Sequence, residues 1–217
     1  MASILTVNLA QPRRNPDKPE LSTGIDKHPT PDPVEVRAPG PRKGGLGSGL
    51  VGDLIGNSKF HGGDDQAVYA YAREDLDVWE TELQRELANG TFGENFTTTG
   101  VDVTGARIGE RWHVGSDGLV LEVTSPRTPC RTFAKWLSIR GWMKTFTTAA
   151  TPGAYLRVIE PGTVRAGDEV VVASRPDHDI TVAVVFRAIM GEPELLPRLL
   201  SADALPEKIK RLAHKRT

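Results

Sequence analysis

One segment of the sequence combines a thiol with two guanidinium groups. It reads Pro-Arg-Thr-Pro-Cys-Arg over residues 126–131, and its Cys130 is the only cysteine of the chain. Arg127 and Arg131 lie close to this thiol in the sequence. Nearby cations favour the thiolate, which is the form that acts as a nucleophile or as a ligand of a soft transition metal. A lone cysteine can also be a buried and inert packing residue. On the residues alone, both interpretations of Cys130 stay open.

Two further segments group polar side chains beside glycines. The first reads His-Gly-Gly-Asp-Asp over residues 61–65, and its glycines would let backbone N–H groups approach a ligand closely. The second reads Gly-Glu-Asn over residues 93–95. Both could equally be simple glycine turns with solvated side chains, so neither segment indicates a site by itself.

A glycine pattern over residues 47–52, Gly-Ser-Gly-Leu-Val-Gly, formally matches the fingerprint of dinucleotide-binding folds. That fingerprint requires a buried strand before it and a helix after it. Here a loop rich in proline and glycine precedes the pattern, and residues 53–57 begin no convincing helix. We therefore predict a turn and no directly bound NAD(P). One cysteine also cannot supply the four thiolates of an ordinary iron–sulfur cluster.

The composition excludes several classes of protein. The 27 lysines and arginines nearly balance the 28 aspartates and glutamates, and no basic stripe is evident, so we expect no nucleic-acid polymer as a partner. No apolar run reaches the roughly 18–20 residues of a membrane span. The first residues lack the basic and apolar regions of a secretory signal. The expectation is a cytoplasmic protein without membrane association.

Short segments rich in β-forming residues predict the elements that must position these groups. They indicate a mainly β fold, a barrel or sandwich with helical excursions. An apolar stripe from Leu76 to Leu87 predicts a helix, and residues 133–143 suit a short helix or an irregular turn. Residues 12–33 are polar and broken by prolines, which predicts a long surface loop. Strands are predicted at residues 4–9, 34–37, 101–103, 111–114, 119–123, 154–158 and 169–173.

The last forty residues change to helical patterns. Thr181 can cap a helix that runs to Met190, while Pro193 and Pro206 can each open a further helix. A strand over residues 182–185 is the alternative for the first of these helices, on β-propensity alone.

These patterns predict a domain organisation. We expect a β domain over residues 1–174, with its motif-bearing core at 34–173, and a small three-helix extension over residues 175–217. The extension is rich in leucine, and those side chains must be buried on the β domain or between the subunits of a homodimer.

Taken in this order, the three polar segments resemble the signature of MOSC domains, which are named for the C-terminal part of molybdenum-cofactor sulfurase. The resemblance covers residues 34–173 and is closest to the stand-alone, YiiM-like branch, whose three-helix extension the tail resembles. It implies a β-barrel-like fold in which the cysteine faces a cleft. The chain departs from the family pattern at Phe96, where a smaller aliphatic residue is usual.

The resemblance also implies roles for individual residues. Cys130 would be the catalytic residue and the molybdenum ligand of a molybdopterin cofactor, and Arg127 would bind an anionic group beside it. The residues that would line the cofactor site are His61, Gly62, Gly63, Asp64, Gly93, Glu94, Asn95 and Arg131. Further candidates for a contact with the cofactor's phosphate are Arg37, Arg42 and Lys43.

The activity that the resemblance implies is an oxidoreductase that reduces small N-hydroxylated compounds, converting N–OH to N–H. Its electrons would come from a separate reductase, because the chain offers no iron–sulfur motif and no dinucleotide site. Two alternatives stay open: Cys130 could carry sulfur as a persulfide, or the chain could bind and deliver the cofactor without turnover. Cofactor sulfurases of this superfamily carry a large pyridoxal-phosphate-dependent domain, for which 217 residues leave no room. This disfavours sulfur transfer.

Overall fold

The computed structural model describes residues 1–215, so Arg216 and Thr217 of the predicted extension lie outside the described residues. The strands are β1 (Ser3–Ala10), β2 (Arg13–Arg14), β3 (Ser22–Thr23), β4 (Lys27–Thr30), β5 (Val34–Val36), β6 (Val68–Ala72), β7 (Phe96–Thr99), β8 (Arg111–Val114), β9 (Leu119–Pro126), β10 (Ala154–Glu160), β11 (Gly162–Val164) and β12 (Val170–Ser174). The α-helices are α1 (Arg73–Leu83), α2 (Arg131–Leu137), α3 (Trp142–Ala149), α4 (Val182–Met190) and α5 (Glu207–His214). Two 3₁₀ segments cover Asp64–Gln66 and Pro193–Ser201.

One large sheet organises the protein. Its eight strands run in the order β12-β8-β9-β10-β6-β7-β1-β4, and two small sheets pair β5 with β11 and β2 with β3. Within the large sheet β6 and β7 pair in parallel, and α1 lies in the crossover that such a pair requires. The prediction of a mainly β fold with helical excursions is confirmed.

The sheet is barrel-like but is not a closed barrel. Strands β12 and β4 form its two ends. The sheet nevertheless curls until the start of β1 meets the turn before β12, where the N–H of Ile4 donates to the carbonyl of Asp168 over 2.8 Å. A second bond runs from the N–H of Val170 to the carbonyl of Ala2 over 2.9 Å. Right-handed strand twist accounts for such curling without full closure.

The protein has two cores, one on each face of the sheet. Aliphatic side chains fill the concave side, where Ile4, Leu121 and Leu156 are fully buried. Aromatic side chains fill the space between β6 and the helices α1, α2 and α3. Phe92 and Phe133 lie at the centre of this second cluster, with ring centroids 5.1 Å apart in an edge-to-face arrangement.

The C-terminal residues are helical, as predicted, and pack on the first core. The hydroxyl of Thr181 accepts the N–H of Val184 over 3.2 Å and caps α4, which excludes the alternative strand. Pro193 opens a 3₁₀ segment and not an α-helix, since Pro197 inside it lacks an N–H donor. Pro206 is the N-cap of α5. Among residues 1–215, no helix is long and apolar enough to cross a membrane.

Several predicted elements are wrong. Residues 101–103 form turns, and the predicted loop at 12–33 contains β4, which pairs with β1. Residues 133–143, predicted as a short helix or an irregular turn, span the end of α2 and the start of α3, and α2 ends because Ser138 adopts φ 57°. Helix α1 ends at Leu83, before the predicted stop, because Gln84 adopts φ 51°.

Candidate functional site

Cys130 lies at the junction between β9 and α2. Its backbone is extended, at φ −135° and ψ 166°, and its Sγ accepts the N–H of Phe133 over 3.4 Å, so the sulfur caps the helix. The side chain is half-buried. Because the ring of Phe133 is fixed in the aromatic cluster, the first turn of α2 holds the sulfur in a defined position. Backbone N–H groups at a helix start favour a negative charge on such a capping atom.

Arg127 is a buried cation beside this sulfur. It is 7% exposed, and its guanidinium donates a hydrogen bond to the carbonyl of Phe92. The guanidinium carbon lies 3.8 Å from the ring centroid of Phe133 and 5.3 Å from that of Tyr69. Burial lowers the pKa of Arg127, but interactions with Tyr69 and then with Tyr155 and Cys130 outweigh burial, and the pKa is raised.

No carboxylate neutralises this cation. None of the ion pairs among residues 1–215 includes Arg127. A buried charge without a counter-ion is costly unless another group compensates it. Here one carbonyl and two ring faces provide partial compensation. The arrangement therefore favours an anion next to Arg127.

Two more side chains share this electrostatic environment. Burial lowers the pKa of His61 to about 4, and Arg127 and Arg42 contribute to the decrease, so the imidazole is neutral at pH 7. Burial raises the pKa of the Tyr155 hydroxyl; Arg127 opposes the increase and Cys130 adds to it. The structure thus groups a thiol, two cations, a neutral imidazole and a phenol. Tyr155 was missed in the sequence because it lies in β10, outside any local motif.

The glycines of the first polar segment bring two loops together. Gly62 and Gly63 have φ of 81° and 85°. A Cβ on Gly62 would lie 2.8 Å from the carbonyl oxygen of Gly47. Next to them, the Nε of Arg42 donates to the carbonyl of Gly62 over 3.3 Å. Asp64 is exposed and accepts a backbone N–H over 2.8 Å. These contacts hold the loop of His61 against the loop of Arg42.

Glu94 forms part of the scaffold behind Arg127. Its fully buried carboxylate accepts the N–H of Gly90 over 2.6 Å, the N–H of Phe92 over 3.0 Å and the hydroxyl of Thr97 over 2.9 Å. Burial raises the pKa of Glu94. The carboxylate fixes the turn that ends at Gly93 (φ 77°) and offers the Phe92 carbonyl to Arg127. Glu94 therefore positions Arg127 indirectly, by fixing the turn whose Phe92 carbonyl accepts the hydrogen bond from Arg127.

Asn95 joins a second buried network. Its amide oxygen accepts the N–H of Tyr69 over 3.2 Å, and its amide nitrogen donates to Asp53 over 2.9 Å. Asp53 also accepts the hydroxyl of Ser48 over 2.7 Å and pairs with Lys27. Burial alone would raise the pKa of Asp53, but Lys27 outweighs it and the pKa is lowered. Sequence analysis missed both partners of this ion pair, since Lys27 lies in the predicted surface loop.

The remaining candidates are exposed or have other partners. The side chain of Arg131 is 80% exposed and pairs with Asp17 over 3.1 Å. Arg37 donates to the carbonyl of Ser48 over 3.4 Å, and Lys43 is exposed. Of the predicted residues, the structure brings His61, Arg42, Arg127 and Cys130 into one electrostatic environment.

Comparison with known proteins identifies the family. The model of the MOSC domain matches residues 57–171, which include all three polar segments. The chain belongs to the MOSC domain family. This MOSC protein is 32% identical to "Uncharacterized protein YflK" of Bacillus subtilis (strain 168), a match over 94% of the chain and 90% of that protein. It is 31% identical to "Protein YiiM" of Escherichia coli (strain K12), over 77% of the chain and 76% of that protein.

A third relative carries a functional name. "Reductase" of Gibberella moniliformis (strain M3125 / FGSC 7600) is 30% identical over 86% of this MOSC chain. The match covers 38% of that longer protein.

Solved structures confirm the YiiM-like fold. YiiM from Geobacillus stearothermophilus superposes with a TM-score of 0.78 at 24% identity, covering 100% of this MOSC chain and 99% of the other. YiiM from Escherichia coli gives a TM-score of 0.74 at 23% identity, with coverages of 100% and 92%.

The donor atoms of this MOSC protein limit how a metal could be held. Among residues 1–215, no group of three or more His, Cys, Asp and Glu side chains could hold a metal ion. Cys130 therefore offers a single soft ligand, and an organic cofactor would have to supply the others. The guanidinium of Arg127, which pairs with no carboxylate of residues 1–215, suits the anionic part of such a cofactor. The side chains present thus fit a thiolate-bound metal with an anionic organic ligand.

Proposed function

We propose that this MOSC protein is a molybdenum-cofactor-dependent reductase of N-hydroxylated compounds. The observation that carries the proposal is the interaction of the half-buried Cys130 with the buried Arg127, a cation that pairs with no carboxylate of residues 1–215. The overall reaction converts R₂N–OH, two electrons and two protons into R₂N–H and water. The electrons would come from a separate donor protein.

The cofactor would supply the two-electron chemistry when bound, and the protein would supply ligand, position and electrostatics. Cys130 would hold the metal through its thiolate. Arg127 would stabilise that thiolate, and Arg42 would bind the anionic groups of the cofactor. Burial of Arg127 against Phe133 keeps its guanidinium out of water, which strengthens its electrostatic interactions.

His61 and Tyr155 would act on the substrate. Because the pKa of His61 is about 4, its neutral ring can accept a hydrogen bond from an N–OH group at pH 7. Because burial raises the pKa of Tyr155, its phenol remains protonated and can donate a hydrogen bond to the departing oxygen. A reductase among the relatives supports the reaction class, although this chain spans 38% of that protein.

The test compares wild-type protein with Cys130→Ser. We expect molybdenum and pterin to co-purify with the wild type, and dithionite-reduced methyl viologen to support the reduction of an N-hydroxylated base. Serine has nearly the same shape but is a hard and poorly ionised ligand, so the variant should lose bound molybdenum and turnover.

The control for this test is Arg211→Gln, an exposed position on α5. It should retain both metal and activity. Wild-type metal content and turnover in a folded Cys130→Ser variant would refute the ligand assignment. Bound cofactor without turnover would indicate cofactor delivery, and a persulfide on Cys130 without bound molybdenum would indicate sulfur transfer.

A further inference from the structure

The helical hairpin next to the site has an unusual charge distribution. It consists of α2 and α3, begins directly after Cys130, and lies in a stretch over residues 123–159 that contains no aspartate or glutamate. The whole chain has a formal net charge of −1. Positive charge is therefore concentrated on this hairpin, although the sequence as a whole shows no basic stripe.

Three cations of the hairpin are exposed and unpaired. Lys135, Arg140 and Lys144 point into solvent, and within residues 1–215 none of them forms an ion pair. Lys135 lies five residues after Cys130, which is about 7–8 Å along the helix axis. Exposed cations elsewhere, such as Lys43 and Lys59, also form no ion pair among residues 1–215, but the hairpin is distinguished by a sequence without any carboxylate. The hairpin thus offers free positive charge close to the candidate site.

We propose that the exposed face of the α2–α3 hairpin is the docking surface for an acidic electron-carrier protein. That the partner carries electrons rests on the proposed function, because each N–OH reduced requires two electrons from outside the chain. Complementary charge raises the rate of encounter between two proteins and orients them, as a transient electron-transfer complex requires.

The chemistry of the hairpin disfavours other anionic partners. Its aromatic side chains Phe133, Trp142 and Phe146 are fully buried, and Met143, 37% exposed, is a single large apolar side chain and not the continuous apolar face that inserts into a bilayer. The same burial removes the rings on which the bases of a nucleic acid would stack, and Trp136 is covered by the guanidinium of Arg13 at 5.0 Å. An acidic protein surface needs neither kind of contact.

Binding is tested with the full chain and flavodoxin, an acidic flavoprotein, as the probe. Calorimetric titration at low ionic strength should show binding that weakens as salt is added. The triple variant Lys135→Glu, Arg140→Glu, Lys144→Glu should bind flavodoxin about tenfold or more weakly. The matched control makes the same change of net charge in the C-terminal extension, Arg198→Glu, Lys208→Glu, Arg211→Glu, and should bind as the wild type does.

Two kinetic measurements separate docking from damage. With reduced flavodoxin as donor, the rate of N–OH reduction by the hairpin variant should fall in proportion to its loss of affinity for flavodoxin. With the cationic methyl viologen radical it should lose none, since a cation is not repelled by added carboxylates.

Several results would overturn the proposal. Flavodoxin could bind the hairpin variant as tightly as the wild type, lose as much affinity in the control variant, or fail to bind wild-type protein at all. The proposal would also fail if the hairpin bound phosphatidylglycerol vesicles or a single-stranded RNA oligonucleotide more tightly than flavodoxin. Hairpin-dependent binding without N–OH reduction would support the docking surface and refute the proposed function. If the protein reduces N–OH groups with viologen as donor but the hairpin variant still binds flavodoxin as the wild type does, the proposed function is supported and the docking surface is refuted.

Discussion

The thiol and the cation beside it form one chemical unit. Arg127 is desolvated against Phe133 and has Cys130 among its electrostatic partners. Arg131 is closer to Cys130 along the sequence, but its side chain is 80% exposed and its charge is screened by water. The reactivity of the sulfur should therefore depend on Arg127 far more than on Arg131.

Alkylation of Cys130 measures this dependence in cofactor-free protein. Arg127→Gln should slow the reaction with iodoacetamide at pH 7, because it removes the buried positive charge that interacts with Cys130. Arg127→Lys keeps the charge and should retain most of the rate, while Arg131→Gln should change it little. Equal rates in folded Arg127→Gln and wild-type protein would show that the guanidinium does not stabilise the thiolate.

His61 links the stability of the site to pH. Its pKa in the folded protein is about 4, below the ordinary 6.5, so the folded state favours the neutral ring. As pH falls from 6.5 to 4, the unfolded state takes up the proton first, and the folded state loses up to about 3 kcal/mol of stability. His61→Gln cannot take up this proton and should lose less stability over the same range.

Urea unfolding at pH 7 and pH 4 tests this expectation. His113→Gln on β8 is the control, because His113 is exposed and its variant should keep the wild-type pH dependence. Identical losses in His61→Gln and wild-type protein between the two pH values would contradict a buried neutral imidazole at position 61.

At the scale of the elements, the sequence predicts what has a local cause. The apolar stripe from Leu76 marks α1, and the hydroxyl of Thr181 marks the start of α4, since both signals depend on neighbouring residues. Strands β6 and β7 escape prediction because they are buried in the sheet. Every residue of β6 is buried, so its alternation of tyrosine and alanine gives no polar face to recognise.

The candidate site shows the same division. The sequence motifs contain Cys130, Arg127 and His61, which the fold brings together. They do not contain Tyr155, whose position follows from the pairing of β10 with β6, opposite Tyr69. Nor does the sequence show that Glu94 faces inward to support a turn. Long-range pairing decides both, and no local pattern encodes it.

The loop glycines allow a matched test of how the elements meet. Gly62 and Gly44 have nearly the same φ, 81° and 80°, so alanine is strained at either position. A Cβ at Gly62 would also lie 2.8 Å from the carbonyl oxygen of Gly47, whereas nothing lies within 4 Å at Gly44. Gly44→Ala should lower the free energy of unfolding by about 1 kcal/mol, and Gly62→Ala should lower it by clearly more. Equal urea midpoints would show that the loops carrying His61 and Arg42 are not held in close contact.

At the scale of the whole molecule, the C-terminal extension completes the core of the sheet. Leu196, Leu199 and Leu205 are 1%, 0% and 3% exposed and belong to the same cluster as Leu121 of β9. Helix α4 packs on β9, and the 3₁₀ segment packs on α4. The predicted need to bury these leucines is therefore met within the chain, where the extension covers apolar surface that the sheet would otherwise expose.

Substitution of one leucine tests this role for the extension. Leu199→Ala leaves a cavity in the core and should lower the free energy of unfolding by about 2–5 kcal/mol. Leu212→Ala on α5 is the control, because that side chain is 37% exposed, and it should cost much less. If these leucines instead formed a subunit interface, Leu199→Ala would change the oligomeric state on dilution in size-exclusion chromatography and leave the unfolding of the isolated subunit unchanged. A large loss of stability at constant molecular mass is the outcome that the packing of Leu199 predicts.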